Sequence, residues 1–129
     1  MFYNRTIKLG RLTKDAESGT GKNGKMFTRF SIAVGREYLA DGKRPADFFD
    51  VIVFQEGLAK IVKEGGKKGR LVLVEGKDQT YLRDGENGKK IKDFTIHADA
   101  VRWLDYLDTK EEDPGENLTS EEPEDDLPF

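Results

Sequence analysis

The sequence predicts an all-β protein: a five-stranded barrel with one helix between strands 3 and 4, plus a disordered acidic C-terminal tail. Three observations carry this reading. Short β-branched and aromatic segments recur between residues 6 and 104, separated by glycine-marked turns. A single stretch between the third and fourth of them has helical spacing instead. Beyond residue 107 large apolar residues nearly vanish and acidic ones crowd together.

The elements follow in order. Thr6 to Leu12 is the first strand, alternating through Ile7 and Leu9. Ser18 to Gly24 is a flexible hairpin loop. Met26 to Val34 is the second strand, with Met26, Thr28, Phe30, Ile32 and Val34 on one face and Phe27, Arg29, Ser31 and Ala33 on the other. A turn over Ala40 to Pro45 leads to the third strand, Phe48 to Phe54. Glu56 to Glu64 places Leu58, Ile61 and Val62 on one helical face, and Gly65-Gly66 stops it. Leu71 to Val74 opens the fourth strand, which extends toward Tyr81. Asp84-Gly85 and Asn87-Gly88 signal a long hairpin into the last strand, Ile91 to Leu104. The order β-β-β-α-β-β is the layout of an OB-fold barrel. Residues 1–107 are therefore expected to form the barrel domain. Residues 108–129 have too little apolar surface to offset the entropy of ordering.

Charge divides the chain at the same place. The net −3 conceals 21 Lys+Arg against 15 Asp+Glu in residues 1–107, a net of +6, and one Lys against 10 Asp+Glu in residues 108–129, a net of −9. A basic body points to a polyanionic ligand, and the tail to a separate task. Several classes are excluded or unsupported. With no cysteine there are no disulfides or thiolate metal sites, and with His97 alone there is no multi-histidine cage. No cofactor or metal is expected. The N-terminal MFYNRTIKLGRL lacks a secretion-signal core, and no stretch approaches the roughly 18 apolar residues of a membrane span. A cytoplasmic protein without membrane contact is expected.

Two motifs mislead. Gly19 to Gly24 matches G-x-G-x-x-G, but a dinucleotide site needs a strand before it and a helix after it, and here a strand follows. Asn117-Leu118-Thr119 is a glycosylation sequon only by pattern. Asp47 and Asp50 read as solvated strand ends, and His97 as a surface or half-buried side chain, so no catalytic set emerges and no enzyme is expected.

Aromatic residues interleaved with cations are the stronger signal. Such surfaces bind single-stranded nucleic acid: cations follow the backbone while aromatic faces stack bases. On the third strand Val51 and Val53 belong to the core, which turns Phe48 and Phe54 outward. Phe30, Phe94 and Trp103 are assigned to the core. The expected stacking residues are Tyr38, Phe48, Phe54 and Tyr81, and the expected phosphate contacts Arg5, Arg11, Arg29, Arg36, Arg44, Lys68, Arg83, Lys89 and Lys90.

The chain resembles the bacterial-type single-stranded DNA-binding proteins (SSB), including phage-encoded ones. Asn4 to Asp15 resembles the family's opening strand, Phe30 to Val34 its second, Ala46 to Phe54 its third, and Gly66 to Gly76 the segment leading into the fourth. The terminal Asp125-Asp126-Leu127-Pro128-Phe129 resembles its signature tip. The resemblance implies a non-catalytic OB-fold homotetramer that protects single-stranded DNA during replication, recombination and repair. It places Tyr38, Phe48 and Phe54 at stacking positions, and Arg5, Arg11 and Lys68 at cationic ones. It departs where the family often has an aromatic and this chain has Arg83, a change for which Tyr81 can substitute, and where a basic position falls at Glu56. It also implies that the tip recruits replication, recombination and repair proteins, in the nucleoid or, for a phage protein, the host cytoplasm. Phe129 and Leu127 would enter an apolar pocket, Pro128 would limit the entropy lost, and Asp125, Asp126 and the terminal carboxylate would meet a basic rim. An RNA-binding OB-fold module is the alternative, and a protein-only adaptor a third class.

Overall fold

A computed structural model describes residues 1–105. The tail and the tip, Asp125 to Phe129, lie outside the described residues. The strands are β1 (Thr6–Leu12), β2 (Glu17–Thr20), β3 (Met26–Gly35), β4 (Ala46–Val53), β5 (Leu71–Asp84) and β6 (Lys90–Trp103), with helix α1 (Glu56–Gly65) between β4 and β5. The sheet order is β1-β5-β6-β4-β3-β2, and β1 also pairs with β3 through Arg11↔Ala33 and Leu12↔Ile32. That last pairing closes a five-stranded ring, the OB-fold layout predicted above.

The sixth strand is the difference. β2 lies in what reads as the start of a loop and pairs antiparallel with β3 from Glu17↔Arg29 to Thr20↔Met26. Its sequence, ESGT, has no apolar alternation because neither face is buried. Backbone hydrogen bonds to the β3 edge define it, and these leave no period in the side chains. The loop proper shortens to Gly21–Lys25.

The inner faces of β3 and β4 pack as their alternation requires. Phe30, Ile32, Val51 and Val53 are buried with Val72, Val74 and Ile96, and Ala59 and Val62 of α1 cap this cluster. Thr28 is buried among them because its Oγ1 donates to the Ala59 carbonyl at 2.8 Å, tying β3 to the helix. The Gln55 side chain caps α1, accepting from the Leu58 N–H, and Gly66 closes it through a bond to the Val62 carbonyl. Leu58, Ala59 and Val62 form the inward arc of the helix, so Ile61, expected on that face, stays exposed. Phe94 and Trp103 are partly buried against the core, and Arg70 lies 4.5 Å over the Trp103 ring.

β1 buries the parity opposite to Ile7 and Leu9. Thr6, Gly10 and Leu12 face inward while Ile7 and Leu9 are exposed. A Cβ on Gly10 would stand 2.5 Å from the Ala33 carbonyl oxygen, so the crossing of β1 and β3 that closes the ring admits only glycine there.

β5 and β6 are both 14 residues long and outrun the barrel. A bulge at Glu75/Gly76 turns β5, and a side chain at Gly76 would collide with the His97 carbonyl. Beyond it, most of Lys77–Asp84 is exposed, and the turn is made by Asn87 and Gly88 at φ 61° and 71°.

Candidate nucleic-acid interface

Period-two alternation fixes which side chains stand outside. With Phe49, Val51 and Val53 inward, β4 presents Phe48 at 68% exposure, and Phe54, just past its end, at 51%. For a large apolar side chain on a regular sheet face, this is surface left open rather than packed. Tyr38 is 54% and Tyr81 43% exposed.

Phe54 does not stand alone. Its ring centroid is 5.9 Å from Phe27 and 5.3 Å from His97, both tilted, so rings from β3, β6 and the end of β4 form one aromatic cluster. Beside it, Gly21, Lys22, Asn23 and Lys25 of the β2–β3 loop share a shallow depression with Phe54. The His97 pKa is held below the ordinary imidazole value, first by burial of the ring and then by Lys77, its cross-strand partner. The neutral ring then offers an uncharged face at neutral pH.

His97 and the loop lysines are absent from the residues predicted from sequence. Phe27 shares the outward parity of Arg29 and was legible to that extent. A lone histidine and a glycine-rich loop carry no comparable signal.

The predicted cations fall into two groups. Most arginines are engaged within the protein. Arg5 donates to Asp99 at 2.6 Å and to Glu75 at 3.2 Å. Arg36 grips both Asp47 oxygens and also donates to the Tyr38 hydroxyl at 2.9 Å, which holds that exposed ring in place. Arg83 pairs with Asp93 at 2.9 Å, and Lys90 with Asp84. Arg29 faces Glu17 at 3.9 Å, Arg11 donates to the Gly69 carbonyl, and Arg44 to the Arg36 carbonyl. These pairs hold the carboxyl groups of Asp99 and Asp47 below the usual range, through Arg5 and Arg36 respectively. Asp93 is lowered first by the Phe94 N–H and then by Arg83. Lys22, Lys25, Lys68, Lys77 and Lys89 have no salt-bridge partner among the described residues.

The structure brings Phe54, Phe27 and His97 together on one outer face; Phe48 shares the outward parity of Phe54, and Tyr81 lines a cavity with Asp50. Tyr38 sits apart in the β3–β4 connection. Arg83, Lys89 and Lys90 line a hollow at the hairpin tip, and Arg5 lies at the β1–β5–β6 edge, away from that tip. No helix among the described residues is long and apolar enough to cross a membrane.

Known proteins share this sequence and architecture. The model of the Single-strand binding protein family matches residues 3–104. Single-stranded DNA-binding protein 2 of Staphylococcus aureus strain COL is 39% identical over 105 residues, covering 81% of this chain and 75% of that protein. The single-stranded DNA-binding protein of Caldanaerobacter subterraneus subsp. tengcongensis is 37% identical over 105 residues, covering 81% of this chain and 69% of its own length. A structure described as Plasmodium falciparum SSB complex with ssDNA superposes with a TM-score of 0.69 at 20% identity, over 81% of this chain and 97% of that one, a likeness of fold.

Proposed function

The chain belongs to the single-strand binding protein family, and from that premise we propose that it binds single-stranded DNA of any sequence by stacking bases on its outer aromatic face. The observation that carries this is the exposed Phe54 ring set against the half-buried Phe27 and His97, with Phe48 on the same face of β4 and lysines beside it. Every base has a π-face, so such a surface tolerates any sequence, and stacking contributes roughly 1–3 kcal/mol per base. Duplex DNA keeps those faces inside its own stack.

Phe48 and Phe54 are the central stacking residues in this reading, with Tyr38 and Tyr81 as outlying ones. Lysines supply the larger part of the phosphate contact. A paired arginine must first leave its carboxylate, so Arg36 acts chiefly by positioning Tyr38. The test is a band-shift comparison of poly-dT with duplex of equal length. Strong binding to poly-dT and weak binding to duplex is expected, and equal affinities would overturn the stacking mechanism. Competition with matched RNA separates this reading from an RNA-binding module.

The division into a DNA-binding domain at 1–107 and an acidic tail at 108–129 belongs to the same proposal. So do a homotetramer, measurable by light scattering with and without poly-dT, and recruitment of replication, recombination and repair proteins by the DDLPF tip. A chain lacking residues 121–129 should keep or strengthen DNA binding and lose recruitment. The tail's −9 competes with DNA for the +6 body, so the gain should fade with salt. Recruitment that survives the truncation would remove the tip's role.

A further inference from the structure

On the outer face of the ring a cavity of about 400 Å³ opens between β3, β4 and the projecting hairpin. Arg29, Ser31, Asp50, Ile52, Tyr81 and Thr95 line it. It has room for a planar base, and Tyr81, Ile52 and Thr95 are the residues of its lining with apolar side-chain surface to offer one.

Three carboxylates border this cavity, and two are committed elsewhere. Glu17 faces Arg29 at 3.9 Å, and Asp15 accepts from the Lys68 backbone N–H at 2.8 Å. Asp50 differs. Its one hydrogen bond among the described residues comes from Ser31, its direct partner in the β3–β4 ladder, whose Oγ donates to Oδ1 at 2.6 Å. That short bond to an ionised acceptor orients the carboxylate, and Oδ2 is left without a partner among the described residues.

A carboxylate on a DNA-binding face needs an account, because it repels phosphate. An ionised carboxylate only accepts hydrogen bonds. A strand crossing here therefore gains by turning its phosphates away and offering Asp50 a donor. Cytosine, adenine and guanine carry exocyclic amino groups, whereas thymine carries carbonyl oxygens at its Watson–Crick edge, on both sides of a single imide N–H. Acidic side chains accept from cytosine N4 in this way on duplex DNA. In a duplex the Watson–Crick amino hydrogens are engaged in pairing, so this cavity would read them only on unpaired bases.

We propose that the cavity is a base pocket in which Tyr81 stacks a base and Asp50 Oδ2 accepts from its amino group, favouring amino-bearing bases over thymine. The protein then binds every sequence, but its affinity is graded by base composition. This rests on the single-stranded DNA reading above and adds a preference to it.

The experiment measures affinity for dC and dT homopolymers of equal length at pH 8, where cytosine N3 is unprotonated. The wild type is compared with Asp50→Ala and Asp50→Asn, their folding checked by circular dichroism. Removing a negative charge strengthens binding to both polymers by a common factor, so the readout is the dC/dT affinity ratio. That ratio is expected to fall about fivefold in Asp50→Ala, the effect of losing one hydrogen bond to a charged acceptor partly open to water. It should also fall in Asp50→Asn, whose amide can donate to a thymine carbonyl. A ratio unchanged in both variants, with binding intact, overturns the pocket and leaves the DNA-binding reading standing. Failure of the wild type to bind either polymer overturns both.

Discussion

The outer face of the barrel and the free end of the β5–β6 hairpin both carry exposed aromatic and cationic side chains, but they are supported differently. Behind Phe54 lies a closed ring of strands with Val51, Val53 and Ile96 fully packed. Behind Tyr81 there is only a two-stranded ladder, with Leu82 and Ile91 exposed on it. Their charges differ too: the lysines near Phe54 have no salt-bridge partner among the described residues, while Arg83 and Lys90 of the hairpin are matched to Asp93 and Asp84. The barrel face is a packed platform beside unpaired loop lysines, and the hairpin an open ladder whose Arg83 and Lys90 are paired while Lys77 and Lys89 have no salt-bridge partner among the described residues. A stacking surface gains from being ordered before it binds, since less side-chain freedom is lost.

The sharpest way to break this comparison is through the core. Ile96→Ala, at a fully buried position, should destabilise the protein by about 2–5 kcal/mol in urea unfolding. Leu82→Ala on the arm should stay within about 0.5 kcal/mol. Equal losses would mean that the arm is packed as part of the barrel. Next comes binding. Phe54→Ala should lose on the order of 1–3 kcal/mol for poly-dT, and Tyr81→Ala less, because Tyr81 stands on a two-stranded ladder without the packed core that backs Phe54. A Phe54→Ala variant that folds and binds normally would remove Phe54 from the platform.

Charge sharpens the contrast further. Replacing both Lys22 and Lys25 with Gln should reduce the slope of log affinity against log salt by about 1.4, two phosphate contacts at roughly 0.7 each. Replacing Arg83 with Gln and Asp93 with Asn together keeps the net charge and should leave the slope unchanged. A drop in that double variant would restore Arg83 as a phosphate contact.

How much of this was legible from sequence depends on how far apart the interacting residues lie. The outward placement of Phe48 and Phe54 follows from their neighbours Val51 and Val53, because alternation is a local property. The parity of β1 is not local. Ile7 and Leu9 look like core, but the requirement that decides the matter is the approach of Gly10 to Ala33 where the ring closes. The ion pairs were hidden for the same reason: Arg5 meets Asp99 across 94 positions, and even Arg83 and Asp93 are 10 apart. A count of basic residues therefore overstates the charge offered to a phosphate. His97 carries no local signal because its surroundings come from Phe54, past the end of β4, and from Lys77 on β5.

The smallest expected effect distinguishes the two regions by pH. His97 in the platform has its pKa lowered by burial and by Lys77. Well above pH 6.5 its ring is neutral in both folded and unfolded chains, so it contributes no pH dependence there. As pH falls below 6.5 the unfolded chain takes up the proton first, and stability declines until the folded pKa is passed. Asp93 on the arm is lowered as well, by the Phe94 N–H and Arg83, but from a carboxylate's starting value of 3.8. Its contribution is fully present above that value and is lost only as pH falls further, through the folded pKa. Between about pH 6 and pH 5 the platform should weaken while the arm does not. Urea unfolding at pH 7.5 and 5.5 should therefore show a loss in the wild type that is smaller in His97→Gln and undiminished in the Arg83→Gln, Asp93→Asn pair. An equal loss in His97→Gln would mean that the ring is already solvated, and that Phe54 stands without its third aromatic partner.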